Sequence, residues 1–264
     1  MRRLAVLVAA LAVLAGCTGE SDAEPQAPTT ADGTVLSLDW PVAADLTPVA
    51  APDVPEGFDP ARYEEMVDAL TRWAQATTVD PDVRSSDDPA AAVAALVPDA
   101  IGGQIESAAK DSTAPRLSAA TVFSDDTEVI GDPQVTTAWK VETTEDEGGA
   151  PAMRLMLQTR AAYTVRDGDG PERTIGVLRV HELVTREGAS GELGIGFSWQ
   201  EFGASDCTVA TSDALRPDAA TADVSDELAT FAGIGSGTAL TMPELPAEDT
   251  VDQDYLDRCK RGTA

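Results

Sequence analysis

Apolar and polar positions change period along the chain. Asp59-Pro60 opens the first periodic stretch; an Asp side chain caps free amides at a helix start, and Pro suits the first helical position. Tyr63, Met66, Val67, Leu70, Trp73, Ala74 and Thr77 then recur at helical spacing, with Arg62, Glu64, Glu65, Asp68 and Arg72 between them. Asp88-Pro89 repeats the opening before Ala90 to Val97. Pro98-Asp99 ends that helix and starts a third, with Ile101, Ile105 and Ala108 on one face. Gly102-Gly103 weakens this third helix.

Beyond Pro115 the period becomes two. Leu117 to Phe123 reads as the first strand. Val135 to Thr143 and Met153 to Val165 alternate apolar and polar residues. Asp167-Gly168-Asp169-Gly170 is a hairpin turn before a strand from Thr174 to Arg186. A last strand carries Leu193, Ile195, Phe197 and Trp199 on one parity. One apolar and one polar face per strand describe an antiparallel sheet packed on one side, and the helices that precede it are placed to cover that side. The fold class is therefore α+β, with N-terminal helices on a curved antiparallel sheet. The domain is bounded at residues 58–207.

The flanks read differently. Residues 17–57 are rich in Pro, Ala, Thr and Asp and read as a tether; about 40 flexible residues reach roughly 35 Å. Its one apolar stretch, Val35 to Trp40, is a candidate docking strand. Residues 208–264 form an acidic tail without a long periodic run, irregular from Ala210 to Asp249 with a short helix over Val251 to Lys260.

The N-terminus carries an address. Arg2 and Arg3 precede an uncharged apolar run from Leu4 to Leu14. That run falls short of the roughly 20 residues that cross a bilayer and fits the core of an export signal over residues 1–16. Leu14-Ala15-Gly16-Cys17 resembles a bacterial lipobox. The resemblance implies cleavage before Cys17, diacylation of its sulfur and a membrane partner reached through lipid, on the extracytoplasmic face. An ordinary signal with a chance cysteine is the competing reading. Few Lys (Lys110, Lys140, Lys260) beside abundant Ala, Asp, Thr and Arg resembles a lipoprotein of a high-GC Gram-positive bacterium. In an exported chain the remaining pair, Cys207 and Cys259, is expected as a disulfide tying the tail to the domain.

Charge narrows the partners. The chain has 46 Asp+Glu against 18 Lys+Arg, a net charge of −28. No dense basic face is available for nucleic acid. One His and three Cys leave little for a metal site, and no cofactor is expected. His181-Glu182 lacks a second His at helical spacing, and no Gly-x-Ser-x-Gly elbow is present. Gly233 to Thr238 lacks the dinucleotide-loop spacing and the Walker Lys. The exception to the acidity is Ala150 to Ser190, with six Arg against five acids. Arg154, Arg160 and Arg166 share one strand face. They are either a solvated face with local ion pairs or a docking face for an anionic partner.

Helices followed by a meander of long strands, from about Asp59 to Asp206, resembles the nuclear transport factor 2-like (NTF2-like, or cystatin-like) fold. That resemblance implies a bent sheet closing a cone around the helices, often with a pocket at its open end. Strand register then decides what lines the pocket: Arg179 and His181 on one parity, Glu182 on the other. No catalytic motif of the superfamily maps onto this chain, and no catalytic residue is assigned. The expected function is a non-catalytic binding or scaffolding role in the cell envelope, with an envelope protein as partner. The alternative is a small-pocket NTF2-like enzyme or small-molecule binder using Arg179, His181 or Glu182.

Overall fold

A computed structural model describes residues 35–36, 38–145, 149–186, 193–218 and 221–233, with 257, 259 and 261. The export signal and Cys17 lie outside the described residues, as does the Gly-rich stretch beyond Gly233.

Asp-Pro pairs start the helical half. Asp59 accepts from the Ala61 amide and opens α1 (Pro60–Thr78). Asp80 accepts from Asp82 and Val83 and opens α2 (Pro81–Arg84). Asp88 accepts from Ala91 and opens α3 (Pro89–Ala94). Each cap contributes about 1 kcal/mol. α4 spans Asp99–Asp111 and α5 Pro115–Ala119. Within α4, a Cβ on Gly102 would lie 2.8 Å from the Ala94 carbonyl oxygen. Only glycine allows α4 this close to the end of α3, so the residue that weakens the helix in isolation is needed for its packing.

The antiparallel sheet is open and curved. β1 (Thr127–Val129) and β2 (Gln134–Glu145) both pair with β3 (Pro151–Asp167), which pairs with β4 (Glu172–Arg186), which pairs with β5 (Gly194–Phe202). The turn at Asp167–Gly170 joins β3 to β4, with the Gly170 amide donating to Asp167 O. Tyr63, Met66, Leu70 and Trp73 of α1 bury against Leu155, Leu157, Tyr163, Ile175 and Leu183 of β3 and β4. The helices thus cover one face, as the sequence order suggested.

Three expectations are corrected. Leu117 to Phe123 is not a strand: α5 occupies its first part, and Phe123 makes a parallel bridge to Leu215. Every residue from Leu117 to Phe123 is buried, and a run buried on all sides carries no period that separates strand from helix. Asp213 fixes the helical outcome by accepting from the Arg116 and Leu117 amides.

The tail after Cys207 is not irregular throughout. α6 (Asp206–Ser212) is followed by α7 (Thr221–Gly233), which lays Val224, Leu228 and Phe231 on the second face of the sheet. A Cβ on Gly176 would lie 2.7 Å from the Phe231 ring, so β4 admits α7 only through a glycine. Cys207 and Cys259 form the expected disulfide. Of the helix expected over Val251 to Lys260, only 257 and 259 are described, and both are helical.

Residues 38–57 and Leu36 are likewise part of the body, where the tether reading ended at Gly57. The Val135 amide donates to Pro41 O, the Val49 amide to the Thr137 hydroxyl, and the Trp139 indole to Val49 O. This strap covers the edge of β2, which would otherwise present open backbone groups. Leu36, Leu38 and Trp40 join α7 on the second face, with Leu36 in a single bridge rather than a strand.

Candidate functional site

Register settles which side chains of β4 meet the helices. Leu157 of β3 lies opposite His181, and Phe197 of β5 lies opposite it on the other side. Ile175, Val177, Arg179, His181 and Leu183 therefore share the helix-facing side, and Gly176, Leu178, Val180 and Glu182 share the other. Arg179 and His181 enter the space between sheet and α1. Glu182 does not, so the three residues do not converge on one pocket.

His181 is 1% exposed. Its Nε2 shares a 2.9 Å hydrogen bond with the Thr77 hydroxyl, and its ring packs edge-on against Trp73 at 4.9 Å. Burial pushes the imidazole pKa down to about 3, helped by the Arg179 charge and opposed by the Leu157 backbone. It is neutral at physiological pH. Arg179 is 3% exposed. Its Nε donates to the Thr121 hydroxyl at 3.0 Å and one Nη to Leu117 O at 2.5 Å. Burial lowers its pKa to about 10, still charged at neutral pH, while the Tyr163 phenol and Glu201 carboxyl act to raise it. The Tyr163 hydroxyl donates to Thr78 O, and Thr78 and Thr159 share a further hydrogen bond. These bonds form a polar belt that fixes the end of α1 and the start of the following segments on the sheet, with the buried His181 Nδ1 left without a hydrogen-bond partner. Buried polar groups bonded this way specify one packing arrangement.

Glu201 is the residue that sequence reading missed. It neighbours Arg179 at the end of β5, and burial pushes its carboxyl up to about 7. Its own backbone contact opposes that rise, Asp206 and Glu227 reinforce it, and Arg179 opposes it. Its parity, shared with Phe197 and Trp199, was the only sequence signal that it turns inward.

The second face holds the arginines proposed for docking. Arg154, Arg160 and Arg166 do share that face. Arg154 Nε lies 3.2 Å from Glu182 and its Nη1 3.9 Å from Glu142, which also holds Lys140. Burial raises the Glu182 pKa, the Arg154 charge lowers it, and Glu142 raises it. Arg166 bridges Glu128 and Glu172. Arg160 is not on a free surface: it is 1% exposed, 5.0 Å from the Trp40 ring, and its pKa falls to about 10 through burial. The three-arginine docking face is therefore divided into two surface ion-pair groups and one core residue.

Among the described residues no group of His, Cys, Asp and Glu is arranged to hold a metal ion. No described helix is long and apolar enough to cross a membrane. Comparison with protein-family models, with curated proteins and with solved structures gives no match.

Proposed function

We propose that this chain is an envelope lipoprotein, anchored through Cys17 on the extracytoplasmic face, whose α+β domain binds or scaffolds another component without catalysis. The arrangement is NTF2-like in this reading: helices come first, and a meander of long antiparallel strands turns its apolar face onto them. Support for the anchor is the sequence Leu14 to Cys17 with its export signal. Seventeen residues, eighteen steps along the chain, separate Cys17 from Val35, where the described structure begins. Even fully extended they span at most about 65 Å, so an anchored domain stays close to the bilayer.

The observation that carries the non-catalytic reading is the sealing of Arg179 and His181. A general base must reach its substrate proton and titrate near working pH. His181 meets neither condition, and Glu182 faces away from it. The small-pocket alternative thus lacks a convergent set of groups among Arg179, His181 and Glu182.

Two experiments test this reading. Cys17→Ser is expected to leave the export signal uncut or to release the protein from the membrane fraction; an unchanged, processed, membrane-bound product overturns the anchor. His181 is the only histidine, so diethyl pyrocarbonate reports on it without ambiguity. The native protein is expected to resist modification until unfolded. Rapid modification in the native state would overturn the sealed belt.

A further inference from the structure

We propose that the helical side of the domain carries a small-molecule site for an oxyanion, a phosphate or carboxylate group, gripped by Arg84 and Arg116. A cleft of about 340 Å³ lies between α2, α5 and the segment from Phe123 to Val129. Arg84 enters it from α2 and Arg116 from α5, with Ser124 beside them and Phe123 in the lining. A second cleft of about 270 Å³, lined by the start of α3, α4 and α5, shares Asp87 and Arg116 with the first.

Both arginines are half-buried, and neither has an ion pair among the described residues. Arg62, Arg154, Arg166 and Arg216 all hold carboxylates, in a chain with 46 acidic residues against 18 basic ones. The Arg116 Nε is buried and has no hydrogen-bond partner. Its backbone is held by Asp213, which accepts from its amide. Arg84 is also positioned: one Nη donates to Val79 O at 3.2 Å, and the guanidinium lies 5.9 Å from the Tyr163 ring. Two arginines that line one cleft without a carboxylate partner among the described residues are suited to planar or tetrahedral oxyanions, which guanidinium groups bind through paired N–H···O bonds.

The cleft also selects against a bare anion. Asp87 and Asp125 are exposed and line it. A ligand whose anionic end reaches the arginines meets these carboxylates with its remainder, so that part must carry donors, hydroxyl or ammonium groups. Phe123 offers the same ligand an apolar contact. A hydroxylated organic acid or phosphate ester meets all these demands; glycerol 3-phosphate is the simplest probe. The same head group presented by a phospholipid is the alternative source of this chemistry. Neither Arg179 nor His181 lines this cleft, and the site stands whether or not Cys17 is lipidated.

The test is titration of the purified protein with glycerol 3-phosphate, followed by calorimetry and by the Arg Nε–H resonances, with inorganic phosphate as a second probe. Saturable binding that shifts the Arg84 and Arg116 resonances is expected. Arg116→Gln should weaken it about ten-fold or more, since hydrogen bonds to charged groups are worth about 1.5–3 kcal/mol, while circular dichroism and melting stay near those of the parent. Arg84→Gln should do the same, and Arg116→Gln remains the decisive variant because Arg84 also holds the end of α1. Asp125→Asn should tighten inorganic phosphate and not glycerol 3-phosphate. Binding of phosphatidylglycerol vesicles, with the same Arg116 dependence but without binding of the soluble probes, supports the site with a lipid as its source. No binding to soluble probes or vesicles, or binding that Arg116→Gln leaves unchanged in a folded protein, overturns it.

Discussion

His181 and Glu201 give the belt a pH signature that can be worked out in sign and size. His181 falls from an ordinary value of 6.5 to about 3 in the fold. The unfolded chain therefore binds a proton in this range that the folded chain refuses. Stability is lost as pH drops below 6.5, at about 1.4 kcal/mol per pH unit, and the loss levels off near pH 3 at on the order of 5 kcal/mol. Glu201 rises from 4.5 to about 7. Its folded state holds a proton that the unfolded chain releases. That contribution is complete below pH 4.5 and is lost as pH climbs to 7, on the order of 3 kcal/mol in all. Between pH 4.5 and 6.5 the two slopes oppose each other and nearly cancel.

Single substitutions separate them. The groups facing His181 are Thr77 and Trp73 from α1, Leu157 from β3, Phe197 from β5 and Arg179 on its own strand. Only Arg179 among these is charged, and it holds its proton throughout the range. His181→Gln should therefore lose the acid-side slope and nothing else that titrates. Urea unfolding at half-unit steps from pH 8 to pH 4 measures both proteins. The parent-minus-variant difference should be constant above pH 7 and then shift by about 3 kcal/mol in the variant's favour by pH 4. Glu201→Gln should show the reverse, a difference that grows in the variant's favour from pH 4.5 to 7. A difference that stays flat for His181→Gln across the whole range would refute the buried, neutral imidazole.

Other perturbations address separate parts of the fold. Gly176→Ala should drive Phe231 from its seat and cost about 1–3 kcal/mol through overpacking, with α7 becoming the first site of proteolytic cleavage; unchanged protection of α7 would contradict the packing of helix on β4. Trp40→Ala removes the ring over Arg160 and part of the second core, and should cost about 3 kcal/mol by denaturant unfolding. Replacing Cys207 and Cys259 together by Ser opens a 52-residue span and should cost up to about 4 kcal/mol on the loop-entropy model, with the sheet still cooperative.

Much of the architecture was legible because it rests on period. The strands over Val135 to Thr143, Met153 to Val165 and Leu193 to Trp199 alternate, and α1 repeats its apolar positions over five turns. Asp59-Pro60 and Asp88-Pro89 mark two helix starts, and Asp80-Pro81 carries the same signal for α2. α7 was hidden differently: Val224, Leu228 and Phe231 do keep helical spacing, but they lie in an Ala- and Asp-rich stretch whose composition reads as loop. The strap was hidden by its prolines, which suit a chain lying along a sheet edge as well as they suit a tether. Register at His181 could not be read at all, because both parities of β4 are largely apolar. A strand covered on both faces loses the alternation that assigns its sides.

The same two-sided burial explains why the arginine-rich segment misleads. Six arginines in Ala150 to Ser190 look like a positive surface when counted along the chain. The fold commits five of them elsewhere. Arg179 goes to the helix-facing core, Arg160 beneath Trp40, Arg154 and Arg166 into ion pairs, and Arg173 to the Asp218 carbonyl. Free positive charge then depends on which guanidinium groups remain without carboxylates, and a local excess over acids does not reveal that. Arg84 and Arg116 satisfy it from short helices of unremarkable composition, 32 residues apart in sequence. They line one cleft because Asp80-Pro81 starts α2 after α1, and because Asp213, from a segment that reads as tail, holds the start of α5. A recognition site in so acidic a chain is built by tertiary placement of a few arginines without carboxylate partners, and a search for the partner's chemistry begins on the helical side, away from the sheet.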